Sequence, residues 1–190
     1  MTDSRKYVGE AGEFSQNSVT NEVSEGVYTV TQLHLYNSEL TELPKDIMLY
    51  TRLTHLHIYN NRITVLSPLP PTLTYISCEY NRLTALDNLA IHTPNLVTLA
   101  CGFNNLTRLE NLPATLTFLS CERNRIQFLD LLQNPYLEYL DCDSNLLTMD
   151  TYDYLPISIK TMSCKNNPMY GEFDNPLYYI QNRKGAPFLK

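Results

Sequence analysis

The chain has 190 residues, 43% of them hydrophobic, with a formal charge of −6 and a sequence pI near 5.1. That size and composition suit one domain with a sizeable buried interior. The acidic balance argues against binding nucleic acid or an anionic membrane surface, since those partners reward basic proteins through counterion release, and no apolar run is long enough for membrane insertion.

Residues 1–26 are polar and lack the apolar core of a secretory signal, so synthesis in the cytoplasm is expected, with non-classical export or delivery into a host cell as the alternatives to residence there. Their apolar groups are sparse (Tyr7, Val8, Phe14, Val19 and Val23), which predicts a partly disordered segment ending in a cap. Residues 27–169 then repeat one pattern seven times, L-x-x-L-x-(L/C)-x-x-N-x-L-x-x-L. The first copy runs through Val30, Leu33, Leu35, Ser38, Leu40 and Leu43, and the second through Leu53, Leu56, Ile58, Asn61, Ile63 and Leu66. From the third copy on, cysteine replaces the third apolar residue, and the last copy reads Ile159, Met162, Cys164, Asn167 and Met169. Only the ends depart, with Ser38 in the asparagine slot and Pro168 after the last asparagine.

Alternation with period two around the centre of each unit predicts a short strand, and seven such strands in one register predict a parallel sheet. The first slots are spaced 23, 20, 23, 20, 21 and 22 residues apart, so all variation falls in the returns. The short returns contain Pro68, Pro70, Pro71 and Pro113 and are predicted to be extended and polyproline-like, whereas 44–52 and 87–95 have room for a helical turn. The predicted class is an α/β repeat solenoid with a curved parallel β-sheet on its concave face and irregular, polyproline-like or short helical returns on its convex face. After Met169, the apolar residues Tyr170, Phe173, Leu177, Tyr178, Tyr179 and Ile180 follow. With Asn175-Pro176 as a helix start, they make 170–190 a C-terminal cap and tail.

Asn61, Asn81, Asn104, Asn124, Asn145 and Asn167 fall where the chain turns while still buried, and an inward amide can satisfy both donors and acceptors there. Cys78, Cys101, Cys121, Cys142 and Cys164 share one inward slot. Side-by-side Cβ vectors at about 4.8 Å strand spacing lie beyond the roughly 3.8 Å mean of a disulfide, which predicts a reduced ladder of small hydrophobes.

His34, His55 and His57 take outward strand positions in the first two repeats and are the set that suggests a metal or small-ligand site. Neither strand offers a carboxylate or cysteine pointing the same way, so the set lacks its fourth member and no metal or cofactor is expected. Phosphate-loop, nucleophile-elbow and H-E-x-x-H motifs are absent, and thiols in apolar rows are inert, so the chain reads as non-enzymatic.

The outward strand-side positions carry His34, Tyr36, His55, His57, Tyr59, Tyr75, Tyr80, Phe103, Phe118 and Tyr139. Aromatics suit strands in any case, but tyrosine also gives stiff, amphipathic contact area, and these residues are the expected partner-binding set. Arg62, Arg82 and Arg125 share a slot on the rim with Arg123 nearby, and Glu79, Glu122, Asp141 and Asp143 are read as neutralising them.

The run from about 27 to 169 resembles the leucine-rich repeat superfamily. LTYISCEYNRL and LTFLSCERNRI are similar to the cysteine-ladder repeats of some bacterial internalins, and LPPTL and LPATL to the short repeats of bacterial ubiquitin-ligase effectors and of giant amoebal virus leucine-rich proteins. The resemblance implies a parallel-sheet solenoid whose role is protein recognition; with the aromatics of the concave face as its site, the chain is expected to be a monomeric module that binds a protein there. A bacterial or viral host-directed effector is the alternative. No stretch of these 190 residues resembles the catalytic domain of the effector ligases, so ligase activity is not expected from the resemblance.

Overall fold

A computed structural model describes residues 29–66, 68–169 and 176–182. The expected N-terminal cap, and Tyr170 and Phe173 of the C-terminal cluster, lie outside the described residues.

Seven three-residue strands, β1 (Gln32–His34), β2 (His55–His57), β3 (Tyr75–Ser77), β4 (Thr98–Ala100), β5 (Phe118–Ser120), β6 (Tyr139–Asp141) and β7 (Thr161–Ser163), form one sheet in chain order. Every pair is parallel, and the central residues Leu33, Leu56, Ile76, Leu99, Leu119, Leu140 and Met162 align in register. Strands this short are stable because each repeat buries its leucines against the next. The central residues of β2 to β6 are fully buried, in a core that runs the length of the array. The parallel solenoid expected from the register is the fold observed.

The returns vary as their sequences dictate. A 3₁₀ turn spans Ile47–Leu49, a short helix α1 spans Leu89–His92, and a longer 3₁₀ segment spans Met149–Tyr154, whereas the two short returns, with Pro68, Pro70 and Pro71 and with Pro113, have no helix among their described residues. The Pro70, Pro113 and Pro156 carbonyls accept the N–H of Leu73, Leu116 and Ile159, closing a tight turn into the next strand. Beside those turns, the hydroxyls of Thr72, Thr115 and Ser158 donate across to the Leu53, Leu96 and Leu137 carbonyls of the preceding repeat. The L-P-x-(T/S) signature is therefore a turn plus an inter-repeat clamp.

Helix α2 (Pro176–Asn182) packs on the Met149–Tyr154 segment, with Ile180 fully buried. Tyr179 Oη donates to Asp153 and Gln181 Nε2 to the Ile159 carbonyl. Among the described residues, no helix is long and apolar enough to cross a membrane.

Candidate functional site

The sheet face is held in place by the turns that follow the strands. Asn104 shows how: Nδ2 donates to the carbonyls of Cys101 (3.1 Å) and Gly102 (3.2 Å) in its own turn and of Cys78 (3.0 Å) in the preceding repeat, while Oδ1 accepts the Leu83 N–H at 2.9 Å. Asn81, Asn124, Asn145 and Asn167 make the same bonds one repeat along, and Oδ1 of Asn61 accepts from both Ser38 and Leu40. Each amide thus fastens two repeats together. Ser38 has only a hydroxyl, which donates to the Tyr36 carbonyl of its own turn.

All five cysteines are free and buried. Burial pushes each thiol up, chiefly by desolvation, and neighbouring carboxylates add to the effect, so none is a ready nucleophile. At the end of the ladder, Cys164 Sγ lies 3.6 Å from Tyr152 Oη.

On the sheet face, the aromatic side chains meet in stacks that the sequence does not spell out. His34 and His57 stack at 4.6 Å between centroids, Tyr36 and Tyr59 at 4.7 Å, and Tyr75 packs on both His55 (5.3 Å) and His57 (5.0 Å). One continuous aromatic platform therefore covers the first three repeats. Phe118 and Tyr139 form a second platform, stacked with their planes parallel to 1° and centroids 4.4 Å apart. Stacking also bears on metal binding: rings lying face to face direct their nitrogens along parallel planes, not at a shared point. Burial and the neighbouring imidazoles lower the pKa of His57 to about 4. Among the described residues, no group of three or more His, Cys, Asp or Glu could share a metal ion.

Tyr80 and Phe103, expected on outward strand positions, fall beyond the strands. They lie in the turn, immediately before the ladder asparagine. The residue in this slot has a left-handed backbone in every repeat: Asn37, Asn60, Tyr80, Phe103, Arg123, Ser144 and Asn166 all have φ between 52° and 56°. Asparagine tolerates that conformation, whereas bulky side chains adopt it rarely. The row is also self-paired. Nδ2 of Asn60 donates to Asn37, Nδ2 of Asn166 donates to Ser144, and between them Tyr80 stacks on Phe103 at 4.0 Å with the Arg123 guanidinium 5.2 Å from the Phe103 centroid. Arg123 thus belongs with the aromatics. The signal was the asparagine that precedes the ladder position in the outer repeats.

The rim arginines differ from expectation too. Arg62 pairs with Glu39 at 3.3 Å, not with the four carboxylates thought to neutralise the rim. Three of those carboxylates accept hydroxyl hydrogen bonds instead: Glu79 from Ser77, Glu122 from Ser120 and Asp143 from Ser163. They remain on the sheet face because the strand-end serines lie beside them.

No protein-family model matches the chain, and no curated protein is significantly similar to it. Solved structures do match. The functional domain of InlJ from Listeria monocytogenes, which includes a cysteine ladder, is 30% identical with a TM-score of 0.57, covering 78% of this chain and 37% of that one. The leucine-rich repeat domain of APL1B is 26% identical with a TM-score of 0.65, covering 73% of this chain and 44% of that one. The leucine-rich effector YopM from Yersinia pestis is 26% identical with a TM-score of 0.60, covering 72% and 43% respectively. The chain thus spans less than half the length of each of these three structures.

Proposed function

The chain is a leucine-rich repeat protein, and from that premise we propose that it is a monomeric, non-catalytic recognition module that binds a partner protein across its concave sheet face. The observation that carries this reading is the pair of stacked aromatic platforms, Tyr36/Tyr59/His55/His57/Tyr75 and Phe118/Tyr139, on half-buried outward positions that the leucine core does not require. Rigid stacked rings lose little entropy on binding and offer large contact area, as binding hot spots need. The five free, buried thiols suit a reducing compartment, which favours action in the cytoplasm.

The test is capture of a partner from lysate, its identification, and calorimetry with the purified pair. The Tyr75→Ala/Phe118→Ala variant should keep its fold and lose most of the affinity. Unchanged affinity for that partner would overturn the reading.

The likeness to a leucine-rich effector favours a second reading, in which the same face engages a protein of a host cell. Capture by host lysate but not by lysate of the producing organism separates the two.

A further inference from the structure

In the row that Tyr36 and Tyr59 begin, and alongside the Phe118/Tyr139 platform, lies a strip of carboxylates. Glu79, Gly102, Glu122 and Asp143 occupy the same position, two residues past the strands, in four consecutive repeats, and Asp141 borders them at the end of β6. The glycine does not interrupt the strip: a Cβ there would collide with the Glu122 carboxylate, which means that Glu122 leans over Gly102 toward Glu79. Serine hydroxyls hold Glu79, Glu122 and Asp143 in place without neutralising them. Burial, Asp143 and Glu122 raise the Asp141 carboxyl, against a backbone hydrogen bond and Lys165. The cations alongside are Lys165, next in the row, and Arg123, whose guanidinium is turned onto Phe103.

We propose that the occupant of this face is an extended, arginine- and lysine-rich segment of a partner protein, running across the strands over Glu79, Glu122, Asp141 and Asp143. The inference rests on the protein-recognition reading and names the chemistry of the partner. Three strand spacings carry the strip over about 14 Å, and residues i, i+2 and i+4 of an extended chain cover the same distance. Three alternate cationic side chains, about 6.7 Å apart, would therefore span the strip, the outer two at Glu79 and Asp143 and the middle one at Glu122, which leans back over Gly102. The chain's own Arg123 on Phe103 demonstrates that a guanidinium is accommodated on these ring faces, and the neighbouring rings offer it further cation–π contacts. Four carboxylates close together repel one another until a cation arrives, so the gain on binding is largest for a basic segment.

The test is fluorescence anisotropy of fluorescein-labelled octa-arginine at low salt, with octa-glutamate as the sign control. The probe should bind the intact protein. Glu79→Gln/Glu122→Gln, which retains side-chain shape and serine contacts, should weaken it about tenfold or more. Glu42→Gln/Glu110→Gln removes the same charge from exposed returns and should change it by less than about twofold. Failure of the probe to bind, or equal weakening by both variants, overturns the basic-segment inference. Recognition of an identified partner that needs Tyr75 and Phe118 but ignores Glu79→Gln/Glu122→Gln also overturns it, while leaving the recognition reading intact.

Discussion

Tyr80 and Phe103 stack at 4.0 Å while both hold a left-handed backbone, φ 53° and 56°. A left-handed conformation at a bulky residue costs about 1–3 kcal/mol, and a stacked pair recovers about 0.5–1.5 kcal/mol. The outer repeats place Asn37, Asn60 and Asn166 in the same slot, where the conformation is tolerated. Tyr80→Asn/Phe103→Asn should therefore be at least as stable as the parent in urea denaturation, and it should bind the partner less tightly. A clear drop in stability would show that the ring pair is there for the fold.

Asn104→Ala removes four hydrogen bonds and strands the Leu83 N–H between repeats, while the Cys78 carbonyl keeps the Asn81 amide. Each buried group left unpaired costs about 1–3 kcal/mol. Ser38→Ala loses a single hydroxyl bond at the first repeat and should cost less. Denaturation midpoints in the reverse order would refute this account of the ladder.

The five buried thiols should resist labelling by an aromatic disulfide reagent until the protein unfolds. Cys164 should react first, because it keeps 4% of its surface exposed while the other four cysteines are fully buried. Mass spectrometry of partially labelled protein resolves the order, and rapid modification of Cys101 in the native state would contradict it.

His57 titrates near 4 in the folded protein and near 6.5 when unfolded, so the unfolded chain binds the extra proton in that window. Stability should be at its full value above about pH 6.5 and fall as the pH drops toward 4. His34, lowered by burial and His55, acts in the same direction. Asp141, raised in the folded state, acts in the opposite sense around the carboxylate range, so the comparison belongs between pH 7 and 5. His57→Gln should flatten the dependence measured by urea midpoints across that interval, and an unaltered slope would assign it elsewhere.

Gly102→Ala would place a Cβ against the Glu122 carboxylate, the movable end of a flexible side chain. Glu122 should swing away and lose its Ser120 bond, with a small change in stability and weaker octa-arginine binding. Binding equal to that of the parent protein would show that the lean of Glu122 over Gly102 is immaterial.

The repeat, the parallel register, the inward cysteine and asparagine rows and the thin proline returns were all legible in the chain. Each follows from a pattern with one dominant solution: leucines at fixed spacing must share one interior, and a buried turn needs an amide. What the sequence could not decide was how residues 20 or so positions apart meet on the surface. Tyr80 and Phe103 read as strand residues because period-two counting does not register the left-handed turn before the asparagine. The carboxylates read as partners of the rim arginines because charge alone gives no direction, whereas the fold sets each beside a strand-end serine. Burial patterns are one-dimensional and survive in sequence. Side-chain neighbourhoods on a sheet face arise from the stacking of separate repeats, so only the tertiary structure brings His57 onto Tyr75 and leans Glu122 over Gly102.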